Sequence, residues 1–305
     1  MASSVAEVTI AGIPVEPAPY LPFMDGPTPP GSDGFRWRLG VRPLDLHDWI
    51  ELGPDADTAI EAKTRLMTDH PDTVFAVLDD QVEREGVEVA DALVDHLRLR
   101  WPDRFGDVAV DPTLHPLDGA ARLVPEDLVV LVERDGELVF GGGSVCFPNR
   151  WDLRSKLGLT MAGVHQPVDG LNEQLEGPID RFFDRLTPER SYWRLGWGIV
   201  DTADWYAPVD GTAAARPTAP APAQFHLRVE RETLRRLPVT GCVLFTIRTY
   251  VTPIPAIRSD VETAARLADS VESLPSDVRN YKDVERTATS LVDFLRGTAV
   301  DNSRS

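Results

Sequence analysis

The chain has 305 residues, of which 42% are hydrophobic and 26% are charged, so it is long enough to bury a sizeable core. Its formal net charge is −18 and its calculated isoelectric point is about 4.7. This acidity argues against nucleic acid and anionic membrane surfaces as partners, because proteins bind both through basic faces. It fits a basic protein partner or a cationic substrate, although it also fits a proteome that is acidic throughout.

The sequence contains no apolar run near the ~20 residues needed to cross a membrane. Its N-terminus lacks the basic start and the continuous hydrophobic segment of a signal peptide, so we expect a cytoplasmic protein. The two cysteines are too few for a disulfide framework, and too few for an iron–sulfur cluster, which takes about four thiolates. We therefore expect any redox centre in this chain to be of another kind.

The first part of the chain predicts an irregular arm followed by helices and a hairpin. Residues 1–35 are rich in proline and glycine, whereas 57–67 and 87–101 have helical periodicity. Residues 128–133 form an apolar strand pattern, and the Asp135-Gly136 dipeptide after it is typical of a tight hairpin turn.

The returning strand of that hairpin contains three consecutive glycines, Gly141 to Gly143. Glycines weaken a strand unless something lies close to its backbone. A phosphate-binding loop is disfavoured, because GGGS lacks the lysine and the strand-to-helix setting of such loops.

Residues 151–186 are predicted to be mostly helical. Leucine, isoleucine and phenylalanine recur at helical spacing along one side, which indicates a face turned towards the core: Leu175, Ile179, Phe182, Phe183 and Leu186. Pro178 then belongs to a first turn or a kink.

The segment 192–200, YWRLGWGIV, alternates as a strand does. Its apolar face is predicted to be core: Trp193, Leu195, Trp197 and Ile199. Its other face places Gly196 and Gly198 beside Arg194. Two readings remain open, a flat ligand with an anionic edge lying on this face, or glycines that mark a β-bulge.

The last third predicts two more strands, one short helix and two longer helices. A loop rich in proline and alanine covers 208–223, strands cover 225–230 and 242–251, and a short helix is expected at 232–237. Two amphipathic helices are expected at 261–273 and 281–295.

These elements predict an α+β fold, with one antiparallel five-stranded sheet and the intervening helices on one face. The order of two strands, a helical segment and three strands is that of a PAS-like domain. We expect three regions: an arm at 1–35, the PAS-like domain at 36–255, and a C-terminal helical extension at 256–305.

Several long segments resemble the haem-dependent oxidative N-demethylase family over about Gly40 to Pro255. They are RWDLRSKLGLTMAGVHQPVDGLNEQLEGPIDRFFDRL, YWRLGWGIVD, LRVERETLRRLP and LFTIRTYV. Two positions depart from the family pattern: Asp169 replaces an expected proline, and Glu232 stands where glutamine is commoner. The first should only loosen a loop, whereas the second adds a charge near the sheet and is expected to affect substrate choice.

The resemblance implies a PAS-like fold that binds haem b and uses O₂ to remove a methyl group from a small secondary amine such as dimethylamine. The products would be the primary amine and formaldehyde, for which the resemblance also suggests a tetrahydrofolate site. Electrons would come from NADPH through flavin and iron–sulfur cluster components on partner subunits. The low cysteine count and the lack of a dinucleotide-binding fingerprint agree with this division of labour.

Haem iron takes an axial His, Cys, Met or Tyr ligand. His165 lies in the densest matching segment and is the first candidate for the metal ligand, and His226 is the second; each could instead be a packing or capping residue. The other histidines have the pattern of ordinary surface or loop residues: His47, His70, His96 and His115. Cys146 and Cys242 are expected to be buried strand residues rather than ligands.

Haem propionates favour arginine. Arg194 is the first candidate, followed by Arg248 and Arg150, and each could equally form an ion pair at the sheet. Trp197 and Trp151 are candidates for the pocket wall, although tryptophan is commonly a core residue.

A protonated amine needs a carboxylate or an aromatic face. Glu230, Tyr250 and Glu173 are the candidates, and a carboxylate there would also take the amine proton. Two other functions remain open at this point: a PAS-type haem or gas sensor without turnover, and a scaffold subunit that has lost haem. The sequence shows no kinase, output or coiled-coil segment, which argues against the sensor.

Overall fold

The computed structural model describes residues 9–10, 13–14, 19–24, 39–165, 171–209, 221–281 and 284–297. The strands are β1 (Thr9–Ile10), β2 (Ile13–Pro14), β3 (Arg42–Pro43), β4 (Phe75–Val77), β5 (Asp127–Arg134), β6 (Glu137–Ser144), β7 (Tyr192–Val200), β8 (His226–Arg236) and β9 (Val243–Pro253). The helices are α1 (Ala56–Asp69), α2 (Pro71–Val74), α3 (Val82–Arg100), α4 (Pro102–Phe105), α5 (Pro116–Ala121), α6 (Met161–His165), α7 (Leu171–Arg185), α8 (Ile254–Arg258), α9 (Val261–Ser273), α10 (Ser276–Tyr281) and α11 (Ala288–Arg296). Over these ranges, the structure has no helix with the length and apolar character that crossing a membrane requires.

The main sheet has seven antiparallel strands in the order β3-β7-β8-β9-β5-β6-β4, and β1 pairs separately with β2. The predicted α+β class is confirmed, but the predicted count of five strands is wrong. The two additional strands, β3 and β4, are the edges of the sheet. They are only two and three residues long, which is too short for an alternating pattern to predict them.

Helices cover both faces of this sheet. On one face, Phe183 of α7 and Met161 of α6 pack against residues of β5, β8 and β9; we call this the cavity face. On the opposite face, which we call the far face, α1, α3 and α5 pack on the β5 half, and α9 and α11 pack on the β7–β8 half. The predicted helical segment therefore lies on one face as expected, while the flanking helices cover the other.

The β5–β6 hairpin forms as predicted. Arg134 pairs with Glu137, and the two turn residues Asp135 and Gly136 both have positive φ, 54° and 83°. Positive φ at both central positions is the geometry that the Asp-Gly dipeptide favours in two-residue hairpin loops.

Two predicted helices differ from the structure. Residues 232–237 were expected to be a short helix, but up to Arg236 they continue β8, because Glu232 and Leu234 pair with β7 on one side and β9 on the other. Pairing on both sides overrides the helical propensity of leucine and arginine. The last helix begins at Ala288 rather than at 281, and a turn covers 285–287 just before it.

The three glycines of β6 allow the neighbouring strands to approach closely. A Cβ on Gly143 would lie 2.5 Å from the carbonyl oxygen of Leu128. We therefore expect Gly143→Ala to lower the free energy of unfolding, measured in urea, by about 1–3 kcal/mol. Gly198→Ala is the control, because its Cβ would meet no described atom within 4 Å. Equal stability of the two variants would contradict this account of the β5–β6 contact.

Candidate functional site

A cavity of about 130 Å³ lies between the cavity face and the α6–α7 layer. Apolar side chains of the helices form one wall: Met161, Val164, Ile179, Phe182 and Phe183. The strands β5 to β9 and the segment before β3 form the other wall: Leu39, Val41, Val129, Leu131, Phe140, Arg194, Glu232, Leu234 and Phe245. Three residues of the apolar face predicted for α7 therefore line this cavity: Ile179, Phe182 and Phe183.

Arg194 and Glu232 are the charged residues among the described side chains that line the cavity. They are direct neighbours across the β7–β8 ladder, and Arg194 Nε lies 3.2 Å from Glu232 Oε2. The Glu232 side chain is 13% exposed and the Arg194 side chain 33%. Arg194 Nε is buried and makes no well-aligned hydrogen bond among the described residues. Burial raises the pKa of Glu232, which Arg194 opposes and Glu230 reinforces.

Gly196 and Gly198 follow Arg194 on the cavity face, but they differ from each other. A Cβ on Gly196 would lie 3.0 Å from Glu232 Oε1, so the Glu232 carboxylate occupies the room beside this glycine. The space beside Gly198 is open, since no described atom lies within 4 Å of the same position there. The β7–β8 pairing continues without a shift from Tyr192 to Val200, so the β-bulge reading of these glycines is wrong.

His165 is the last residue of α6, directly after Val164, which lines the cavity. The side chains of His165 and Glu173 lie outside the described residues, so their predicted roles stay predictions. His226 begins β8 at the end opposite Glu232, about 20 Å along the strand, and burial lowers its pKa. This distance separates the second ligand candidate from the cavity.

Glu230 lies on the cavity face, directly opposite Gly196. Its carboxylate accepts a hydrogen bond of 2.8 Å from Arg228 Nε. Arg228 is itself buried and also donates to the Phe147 carbonyl oxygen and to Thr249 Oγ1. Glu230 is thus held by a buried arginine, and it does not line the cavity.

The structure does not bring Trp197, Arg248 and Tyr250 to the cavity. All three belong to the far face, because strand residues alternate and their ladder partners point away from Arg194. Trp197 packs edge-on against Phe23, with ring centroids 6.1 Å apart. Trp197 and Arg248, predicted at the haem, and Tyr250, predicted at the amine, thus lie on the face of the sheet opposite Arg194.

On the far face, Arg248 and Tyr250 belong to a network of polar side chains. Arg248 forms an ion pair with Asp55 and lies 4.8 Å from the Tyr250 ring centroid. The Tyr250 hydroxyl donates to Glu51 Oε2 at 2.6 Å, and Tyr20 and Arg231 also contact this carboxylate. Glu51 lies in a short ELG segment without periodicity, so no sequence signal indicated its role.

The remaining candidates have structural partners. Arg150 pairs with Asp201, and Trp151 packs into the core of the cavity face. Cys146 and Cys242 are buried as predicted, and burial raises the pKa of each thiol to about 12. Both thiols are therefore protonated near neutral pH, which is the form of a packing residue rather than of a thiolate ligand.

The described residues of the cavity face have the chemical groups that a haem site needs. They offer an apolar surface for the ring, the Arg194 guanidinium for a propionate, and free space beside Gly198. The cavity alone is smaller than the ~300–1,000 Å³ of pockets that enclose drug-sized ligands, so a macrocycle needs the open face beyond it as well.

One protein-family model matches the chain over residues 40–292. Its description is "Haem-dependent oxidative N-demethylase, alpha subunit-like". The matched region contains the whole seven-stranded sheet, the α6–α7 layer and every described residue that lines the cavity except Leu39. It continues through α9 into α11.

Proposed function

This chain belongs to the haem-dependent oxidative N-demethylase, alpha-subunit-like family, and on that premise we propose that it is the haem-bearing subunit of a dimethylamine-type monooxygenase. The observation that carries the proposal is the family match across the entire sheet and its cavity. A small apolar chamber with one carboxylate and one guanidinium fits a small amine together with an anionic cofactor edge.

The reaction balances when two electrons are delivered. Dimethylamine, O₂, two electrons and two protons give methylamine, formaldehyde and water. The electrons would come from NADPH through a flavin and an iron–sulfur cluster on partner subunits, because this chain has only two cysteines and both are buried. A tetrahydrofolate site for the formaldehyde belongs to the same proposal.

Haem b would supply the activation of O₂, and the chain's own residues would hold it. His165 is proposed as the iron ligand, Arg194 as the propionate partner, and the open surface at Gly198 as a place for the ring. The phenylalanines of α7 would exclude water from the amine, which strengthens every charge interaction inside the cavity. Glu230 remains a predicted catalytic residue at the edge of this face.

The test is an absorption spectrum of the protein expressed with a haem supply, followed by turnover with a partner reductase. We expect a Soret band that shifts or disappears in His165→Ala, and NADPH consumption that depends on dimethylamine and yields formaldehyde. A Soret band without amine-dependent turnover would favour the haem or gas sensor. A wild-type protein without a Soret band would contradict the oxygenase and leave a scaffold subunit.

A further inference from the structure

One carboxylate, that of Glu232, is among the described side chains that line the cavity. We propose that Glu232 binds the ammonium group of the methylated amine inside this cavity, and thereby selects a small cationic substrate. This inference rests on the proposed function and assigns a substrate-recognition residue to it. Three properties of the cavity support it: its size, its walls and its charge.

The size favours a ligand of a few heavy atoms. A cavity of about 130 Å³ is similar in size to the apolar cavity of ~150 Å³ that holds a single benzene molecule. A dimethylammonium ion, which has three heavy atoms, fits within this space.

The walls have the composition of an alkylammonium site. Phenylalanines approach the cavity from β6, α7 and β9: Phe140, Phe182, Phe183 and Phe245. Aromatic faces attract methylated ammonium groups, and the attraction increases when water is excluded. The methyl groups of the ligand are also stabilised by contact with these apolar side chains. The walls therefore recognise the methyl groups, and the carboxylate recognises the ammonium group.

The ion pair with Arg194 leaves Glu232 able to bind a second cationic group. A buried carboxylate is costly unless it is paired and hydrogen-bonded. Arg194 forms an ion pair with Glu232 at 3.2 Å, but its Nε is not aligned for a hydrogen bond. A dialkylammonium ion has two N–H donors, which can satisfy the carboxylate. If Arg194 binds an anionic group at the same time, the two pairs leave the cavity neutral.

Glu232 is a better candidate than Glu230 for this role. Glu230 is held by Arg228 at 2.8 Å and lies outside the cavity lining. Glycine at position 196 provides the room for the Glu232 carboxylate, since a Cβ there would lie 3.0 Å from Oε1. The local sequence therefore favours a carboxylate lying over β7 at this point.

The same carboxylate can accept the proton that the amine must lose. The proton would move from the ammonium nitrogen to a Glu232 oxygen, which leaves a neutral amine with its lone pair. Burial raises the pKa of Glu232 and so makes this transfer less unfavourable. The charged groups facing Glu232 from the described elements are Arg194 on β7 and Glu230 on β8, while the described lining residues of α6 and α7 are apolar.

The experiment measures binding of dimethylammonium chloride by calorimetry, to the haem-supplied protein without reductant and to the haem-free protein. Glu232→Gln should weaken binding at least tenfold. The control Glu137→Gln, an equal charge loss at an exposed hairpin residue, should bind like the wild type. Dimethyl sulfide, which has two methyl groups and no charge, should bind the Glu232→Gln variant as well as it binds the wild type, whereas a distorted cavity would weaken both ligands.

The double variant Arg194→Met/Glu232→Gln keeps the test valid if Glu232→Gln alone unfolds, because it removes both charges together. It should also lose dimethylammonium binding. Equal dimethylammonium affinity in the wild type and either variant overturns the inference, even if haem binds and turnover persists. A wild type without a Soret band but with tenfold weaker binding in Glu232→Gln supports the amine site and overturns only the haem-dependent function.

Discussion

Replacing Arg248 with methionine should lower the free energy of unfolding by about 3–5 kcal/mol, while the protein that remains folded keeps its Soret band. The Arg248 side chain is 1% exposed and forms an ion pair with Asp55. Its removal leaves the Asp55 carboxylate without this partner in a poorly solvated place, and it also removes the contact with the Tyr250 ring. Methionine fills much of the volume but supplies no charge. Chemical denaturation followed by circular dichroism measures the loss.

Arg194→Met is the matched control on the opposite face of the same sheet. The Arg194 side chain is 33% exposed, so its loss should destabilise the fold far less. It should instead weaken haem retention, if the propionate is held there. The two arginines thus separate stability from cofactor binding. Haem loss from Arg248→Met at unchanged stability would contradict the placement of Arg248 on the far face as a structural residue.

The sequence predicts the faces of each strand but not which faces belong together. Alternation correctly separates Arg194 from Trp197 within β7, and Arg248 and Tyr250 share a face of β9 as predicted. Only the register between strands shows that Arg194 pairs with Glu232, whereas Arg248 pairs with Arg231. A shift of one residue would exchange the two faces, and a single sequence does not determine that shift.

Strong local signals were sufficient for other elements. The Asp135-Gly136 turn and the helix at 261–273 appear where they were predicted, because turn chemistry and helical periodicity are local properties. The edge strands β3 and β4 depend on the neighbours that pair with them. Likewise, only the register between β7 and β8 shows that Gly196 is not part of a β-bulge.

Buried charges are the feature that sequence reasoning missed most completely. Lys63, Glu126 and Asp127 are fully buried, although a charged residue usually indicates an exposed position. Lys63 Nζ donates to the carbonyl oxygens of Val124 and Glu126, and Asp127 accepts the Cys146 and Phe147 N–H groups. These partners are distant in the sequence, so no pattern around any one of them predicts the group.

The wild type should become less stable to unfolding as the pH rises, because Glu126 ionises, and Glu126→Gln should abolish this decrease. Glu126 Oε1 accepts the Glu51 backbone N–H at 2.8 Å, and Oε2 is buried without a hydrogen-bond partner among the described residues. Burial raises the pKa of Glu126 to about 7, against about 4.3 for an unperturbed glutamate. The folded protein therefore keeps a proton through a pH range in which the unfolded chain has lost it.

The sign of the effect follows from this proton. Below about pH 4 both states are protonated and Glu126 costs nothing, whereas above about pH 7 folding must bury a charge that the unfolded chain exposes to water. At 1.36 kcal/mol for each pKa unit, the cost grows to about 3–4 kcal/mol by pH 8. Glutamine does not ionise, so the stability of Glu126→Gln relative to the wild type should rise by that amount between pH 4 and pH 8.

The difference between the two unfolding curves isolates Glu126, because the other titrating groups are common to both proteins. His96 is one such group: burial lowers its pKa to about 4, so its contribution changes in the opposite direction over this range. The exposed Glu137→Gln supplies the control, and its difference from the wild type should stay flat. A flat difference for Glu126→Gln as well would mean that Glu126 is ionised in the fold, stabilised by the Arg248 charge that the first variant removes.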